Sequence, residues 1–129
     1  PWGISSSMSN LSNSPKEKTA FLCVGEGAQR VGMGVDFVPL STKAADLFEL
    51  AAAASGLEVF SMCAQGPVDL LEEPQNAMPC LVATSLAIAA ALRDRGIEPD
   101  CVAGIGAGEY AAHALAQTID EERALMEHN

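Results

Sequence analysis

The chain has 129 residues, room for at most one domain, with a real core if most of it folds. Its formal net charge of −10 argues against nucleic acid and anionic membrane surfaces as partners, since both are polyanions. Hydrophobic residues make up 49% of it but aromatics only 5%, and alanine supplies much of the apolar count. Small side chains suit close helix–sheet packing and bury little area each, which predicts modest intrinsic stability.

Residues 1–19 are rich in Ser and Asn, carry no hydrophobic period and are expected to form a disordered tail ahead of a domain over residues 20–129. Ala20-Phe21-Leu22-Cys23-Val24 is a continuous apolar run ended by Gly25, the pattern of a parallel strand covered on both faces. Gly25-Glu26-Gly27-Ala28-Gln29 turns away from it, and Gly32-Met33-Gly34 follows. Ser41 is placed to cap a helix over residues 42–55, with Ala45, Phe48 and Ala52 near one face and Gly56 as its stop. Residues 62–73 are mixed, with a short helix near 68–72 after Gly66-Pro67 and a break at Pro74.

A long apolar helix is expected from about Pro79 to Arg95, with Arg93 and Arg95 suiting the negative pole of its dipole and Gly96 ending it. Its most apolar stretch, Cys80 to Leu92, covers 13 residues and includes Thr84 and Ser85, too short for a membrane span and right for a buried helix. Pro99-Asp100 then turns into a second strand over residues 101–105. Ala111 to Ala116 reads as a helix, and residues 120–129 as a further polar helix with Asp120 as a candidate cap. Two strands joined by long helical crossovers imply an α/β layer fold with a short parallel sheet flanked by helices.

The four cysteines, Cys23, Cys63, Cys80 and Cys101, form no C-x-x-C pair and have no histidine at zinc spacing. Buried free thiols are the favoured reading, which predicts an intracellular compartment, cytoplasmic or organellar, mitochondrion and plastid included. No metal and no cofactor is expected. Glu109 and His113 lie four apart on one helix, but with no third ligand a solvated pair is favoured over a metal site. His128 is assigned to the tail. Met62, Met78 and Leu81 are assigned to the core ahead of a partner groove. The acidic runs Asp69, Glu72, Glu73 and Asp120-Glu121-Glu122 read as solvated helix edges.

The stretch that carries the functional reading is Ala103-Gly104-Ile105-Gly106-Ala107-Gly108-Glu109-Tyr110. A strand, a tight glycine-bearing turn and a helix form a nucleophile elbow when the turn reads G-x-S-x-G; here it reads G-x-G-x-G. A dinucleotide-binding loop would want glycine or alanine where Glu109 stands, and an acid at a helix start opposes a phosphate. Cys101 and Cys63 are alternative nucleophiles, but neither stands at the turn's apex and no histidine is placed by sequence to activate either.

From Phe21 to about Arg123 the chain resembles the N-terminal part of the malonyl-CoA:acyl carrier protein transacylases. The resemblance rests on Phe21-Leu22 through Gly25-x-Gly27-x-Gln29, Gly32-Met33-Gly34, Leu47-Phe48-Glu49, Gly66-Pro67, Gly96-Ile97-x-Pro99-Asp100-x-Val102-Ala103-Gly104 and Gly108-Glu109-Tyr110-Ala111-Ala112. Each piece is weak alone; their order and spacing over about a hundred residues make the resemblance strong. It implies a fragment of the large, hydrolase-like subdomain, without the small ferredoxin-like subdomain. In that family the first loop reads G-Q-G-S-Q and the elbow G-H-S-L-G-E-Y. The elbow serine takes the acyl group from coenzyme A and passes it to the carrier's phosphopantetheine thiol, and a distant histidine is its base. Backbone N–H groups after the serine and at the loop's first glutamine form the oxyanion hole, and an arginine pairs with the malonyl carboxylate.

Carried across residue by residue, most of these roles lose their groups. The serine position is Gly106 and the histidine beside it Ile105; the loop glutamine is Glu26 and the loop serine Ala28. The family's T-Q-P triplet appears as Ala77-Met78-Pro79, and residue 129 comes before the arginine and the base histidine are reached. What remains is a vestigial cleft of Gly25, Gly27, Gln29, Gly104, Ala107 and Gly108, whose backbone donors survive because any residue supplies them. Nucleophilic catalysis needs an activatable side chain, a base and an oxyanion site together, so no catalytic residue is assigned. A Glu26 carboxylate near the site would repel both an oxyanion and a malonyl carboxylate. The expected function is a catalytically inactive module that acts through protein contact or self-association covering an open sheet edge. The alternatives are one half of a split acyltransferase of fatty acid or polyketide synthesis, and a noncatalytic binder of acyl carrier protein.

Overall fold

The computed structural model describes residues 2–4 and 17–127. Its elements are β1 (Trp2–Ile4), β2 (Ala20–Cys23), a 3-10 turn (Val35–Leu40), α1 (Thr42–Ser55), α2 (Val59–Gln65), α3 (Val68–Glu72), α4 (Pro74–Asp94), β3 (Cys101–Ile105) and α5 (Gly108–Glu127). The sheet order is β1-β3-β2. β2 and β3 run parallel, with Phe21 opposite Val102 and Cys23 opposite Gly104, and β1 lies antiparallel on the other side of β3. The parallel pair is the expected one. β1 is an addition to the expected sheet, because three residues are too few to show a strand's period in sequence. The rest of the expected tail, Pro1 and residues 5–16, lies outside the described residues, as does His128. Thr19, the last residue assigned to that tail, is tied down: its N–H donates to Asp100 Oδ2 at 2.7 Å and its carbonyl accepts from Asp100 N at 2.7 Å.

α1 has the predicted bounds. Ser41 Oγ accepts from Ala44 N at 3.2 Å, and its hydroxyl donates to Asp94 Oδ2 at 2.6 Å, so one residue caps α1 and joins it to the end of α4. Gly56 ends α1 in the left-handed region. Three expectations change. α2 was not foreseen; its seven residues bury Val59, Met62 and Cys63. α4 starts at Pro74 rather than Pro79, because proline at the first helical position breaks nothing; Pro79 then sits inside the helix. α5 is one continuous helix with Asp120 in its interior, so Asp120 caps nothing.

Two apolar clusters make the core, and α4 is a wall of both. Phe21, Cys23 and Val102 of the sheet pack with Ala89 of α4 and Ala111, Ala112, Leu115, Ala116 and Ile119 of α5. Cys80, Ala83 and Ala87 of α4 pack with Ala44 and Phe48 of α1, Val59, Met62 and Cys63 of α2 and Leu71 of α3. Six of the ten buried residues of α4 are alanines (77, 83, 87, 89, 90 and 91), which lets neighbouring backbones approach closely on both sides. Over its full 21 residues α4 is long and apolar enough to cross a bilayer, unlike the shorter run from Cys80 to Leu92, yet 56% of its most apolar window is buried against the other elements. Phe48 and Phe60 meet edge-to-face with ring centroids 5.4 Å apart.

All four cysteines are free and buried. Burial pushes the Cys23 thiol up, and a hydrogen bond with Cys63, then burial, pushes the Cys80 thiol up. Met62 and Leu81 lie in the core as expected, whereas Met78 is exposed. Asp69, Glu72 and Glu73 are solvent-exposed, but Glu122 departs from its predicted role as a solvated edge. Its carboxylate pairs with the Arg93 guanidinium and lies 3.5 Å from Lys43 Nζ, joining α5 to α4 and α1. Arg93 holds the Glu122 carboxyl below the usual range. Leu71 is 0% exposed and Leu50 is 64% exposed. Leu71→Ala is expected to cost about 2–5 kcal/mol in urea unfolding, against about 0.5 kcal/mol or less for Leu50→Ala.

Candidate functional site: a glycine elbow closed by a carboxylate

At the carboxyl ends of β2 and β3, three backbone segments meet without side chains between them. A Cβ on Gly108 would stand 2.0 Å from the Cys23 carbonyl oxygen, one on Gly104 2.1 Å from the Gly108 oxygen, and one on Gly25 2.2 Å from the Ile105 oxygen. No side chain fits at these contacts, so the first loop, the elbow and the start of α5 are pressed together by glycine alone. At the apex, Gly106 has φ +58°, the left-handed region in which a side chain is strained. Its carbonyl accepts from Glu109 N at 3.0 Å and the Ala107 carbonyl from Tyr110 N at 3.2 Å, which opens α5. Strand, sharp turn and helix are the geometry of a nucleophile elbow.

The first loop reaches into this turn. Glu26 Oε1 accepts the Ala107 N–H at 2.8 Å, and the same oxygen lies 2.7 Å from where a Cβ on residue 106 would be. The Ala107 N–H therefore serves Glu26, where the sequence predicts a donor left open to an oxyanion. The bond to Ala107, followed by one to its own backbone, holds the Glu26 carboxyl below the usual carboxylate range. The positive pole of α5 adds to the same preference for negative charge.

The remaining predicted residues frame that contact. Ala28 N donates to the Gly25 carbonyl at 3.2 Å, closing the loop's turn. Gln29 Oε1 accepts from Gly27 N at 2.7 Å and its Nε2 donates to the Leu71 carbonyl at 3.3 Å, fastening the loop to α3. Ile105 stands partly exposed beside the apex. The structure thus brings together Gly25, Glu26, Gly104, Ile105, Gly106, Ala107 and Gly108, with Gly27, Ala28 and Gln29 shaping the loop. Glu109 and His113 are both exposed on α5, and among the described residues no group of three or more His, Cys, Asp and Glu is placed to hold a metal ion. Cys63 and Cys101 are buried in α2 and at the start of β3, away from the apex. Sequence reasoning placed Glu26 near the site but missed its bond to Ala107, because the contact joins residues 81 positions apart.

Residues 20–128 match the family model for the acyl transferase domain. The chain belongs to the acyl transferase family. It is 42% identical over 104 residues to the malonyl CoA-acyl carrier protein transacylase of Synechocystis sp., a match covering 80% of this chain and 34% of that protein. The crystal structure of the Synechocystis malonyl-CoA:ACP transacylase superposes with a TM-score of 0.69 at 41% identity, over 74% of this chain and 32% of that one. A malonyl-transacylase solved in complex with a type II PKS acyl-carrier protein superposes with a TM-score of 0.67 at 29% identity, over 74% of this chain and 31% of that one. The chain thus spans about a third of the length of the relatives it matches. The elements described here belong to the large α/β part of the fold.

Because folding lowers the Glu26 pKa, the Glu26–Ala107 contact stabilises the fold above the unfolded carboxylate pKa of about 4.3 and is lost as pH falls through the folded value. In an NMR titration the Glu26 carboxyl and the Ala107 amide are expected to move together, with a midpoint below that of an ordinary glutamate. Glu26→Gln should abolish the Ala107 transition.

Proposed function

We propose that this acyl transferase-type module does not carry out serine-based malonyl transfer and works instead as a protein-contact subunit of a larger assembly. One observation supports this above the others: the elbow apex is Gly106, and the Glu26 carboxylate takes the adjacent Ala107 N–H. A thioester carbonyl entering this turn meets no nucleophile, finds a prime oxyanion donor already bonded, and faces a negative charge where negative charge must develop. A substrate carrying its own carboxylate meets the same repulsion.

The changes at residues 26 and 106 are also mutually compatible. A Cβ at 106 would stand 2.7 Å from Glu26 Oε1, the end of a flexible side chain that must swing aside, and φ +58° strains any side chain there, so restoring serine alone leaves the Glu26 charge beside the turn. A second reading, one part of a split acyltransferase, draws on the chain matching about a third of each relative's length. It requires another polypeptide to supply the nucleophile as well as the base. Binding of an acyl carrier protein without catalysis draws on the relative solved with such a partner, and its weakness is the −10 charge of this chain.

Intact-mass spectrometry after incubation with malonyl-coenzyme A decides the catalytic question. The expected outcome is no malonyl adduct on the native chain or on Gly106→Ser. Glu26→Gln/Gly106→Ser is expected to acquire at most a slow adduct, since no base is placed beside the new hydroxyl. A stoichiometric adduct on the native chain would overturn the reading.

A further inference from the structure

We propose that the groove between α1 and α2 is the docking site for a basic amphipathic helix of a separate protein. This gives the protein-contact reading above a partner of stated chemistry, and it rests on that reading.

The chain turns through 115° between α1 and α2, and a groove of about 720 Å³ lies open in the angle. Buried Phe48 and Val59 floor it, and Phe60, 39% exposed, stands as an aromatic wall held edge-to-face on Phe48. Ala45, Ala52 and Ala53 keep the α1 side low, so a bulky apolar side chain from outside can reach the floor. The charged lining residues are two carboxylates, Glu49 and Glu58; among the described residues no cation lines the groove. Both glutamates are solvent-exposed, and among the described residues neither makes an ion pair. Glu58 stands at the N-cap of α2 without a side-chain capping bond. Lys43, the one basic residue of α1, pairs with Glu122 of α5 instead.

Charge and main-chain chemistry choose the occupant. An apolar groove edged only by carboxylates attracts a cationic partner and repels fatty-acid carboxylates, nucleic acid and acidic proteins. A second copy of this chain, at formal charge −10, is among the repelled. Both walls are helices whose main-chain groups are bonded within themselves, so an extended strand laid here would find no main-chain partners. A helix brings its own hydrogen bonds and inserts side chains at i, i+3, i+4 and i+7. From Ala45 to Gly56 the α1 wall is about 17 Å long at about 1.5 Å per residue, room for about three turns of such a helix. Leucines on its inner face then pack on Phe48, Val59 and Phe60, and lysines on its flanks meet Glu49 and Glu58.

The test titrates the full, isotope-labelled chain in an NMR tube with a capped peptide of about 14 residues, made of alanine, leucines at that helical spacing and flanking lysines. A twin peptide carries glutamate in place of lysine. The expected result is a set of amide shifts confined to residues 45–61 with the lysine peptide and none with its twin. Glu49→Lys/Glu58→Lys should weaken the binding about tenfold or more. Ala53→Gln, which fills the groove without changing its charge, should weaken it as well. These three positions are exposed, so the variants should keep the native circular dichroism spectrum. If a spectrum changes, the shifts on the native chain decide alone. No binding, equal binding of the twin, or shifts at other surfaces with the groove silent would overturn the proposal. Concentration-dependent shifts at the groove in the chain by itself would overturn it in favour of a second copy. Malonyl uptake by the native chain sinks the inactive reading without touching this titration, and a silent groove leaves that reading standing, so the two can fail separately.

Discussion

The structure depends on backbone meeting backbone at the carboxyl ends of two parallel strands. Gly25, Gly104 and Gly108 bring the first loop, β3 and the start of α5 within contact, and any Cβ there would overlap a carbonyl oxygen. The register of β2 against β3, the entry angle of α5 and the reach of Glu26 into the turn all follow from this closeness. The sequence keeps glycine at each of these places while the residue at the apex carries no reactive group. Gly106 occupies its positive φ without the strain a side chain would bear there, so the chain reverses at the apex at little backbone cost.

Charge completes what geometry begins. An elbow at a helix start concentrates partial positive charge from N–H groups, an attraction that would otherwise serve a developing oxyanion. Here a side chain of the same molecule satisfies it. Ala107 N–H and the Glu26 carboxylate form an internal ion–dipole contact that makes the turn self-sufficient.

What could be read from sequence divides along a physical line. Local signals served well: the Ser41 cap, the Gly56 stop and the continuous apolar runs of β2 and β3 each depend on a few neighbouring residues, and those elements lie where expected. Pro74 misled because proline both ends and begins helices, and only the chain around it decides which. α2 was missed because its buried residues, Val59, Met62 and Cys63, are too few to display a period. The family could be recognised because its glycines and their spacing are backbone requirements, written directly into residue type. The Glu26–Ala107 bond could not be, since it depends on a loop rotamer and on a tertiary approach that no local pattern encodes. Glu122 was misread for the same reason: nothing near it in sequence announces Arg93 and Lys43.

The joint that Glu122 makes gives α5 two different anchorages. Its first turns are seated by close contact of main chain and alanine methyls at the elbow, together with the Glu26 carboxylate bonded to the Ala107 N–H. Its later turns are moored to α4 and α1 by partly solvated charges, whose attraction fades as dissolved ions accumulate. Dissolved ions thus screen charges at both ends of the helix, while the glycine contacts at the elbow and the apolar seat of Leu115 and Ile119 against the sheet do not depend on them.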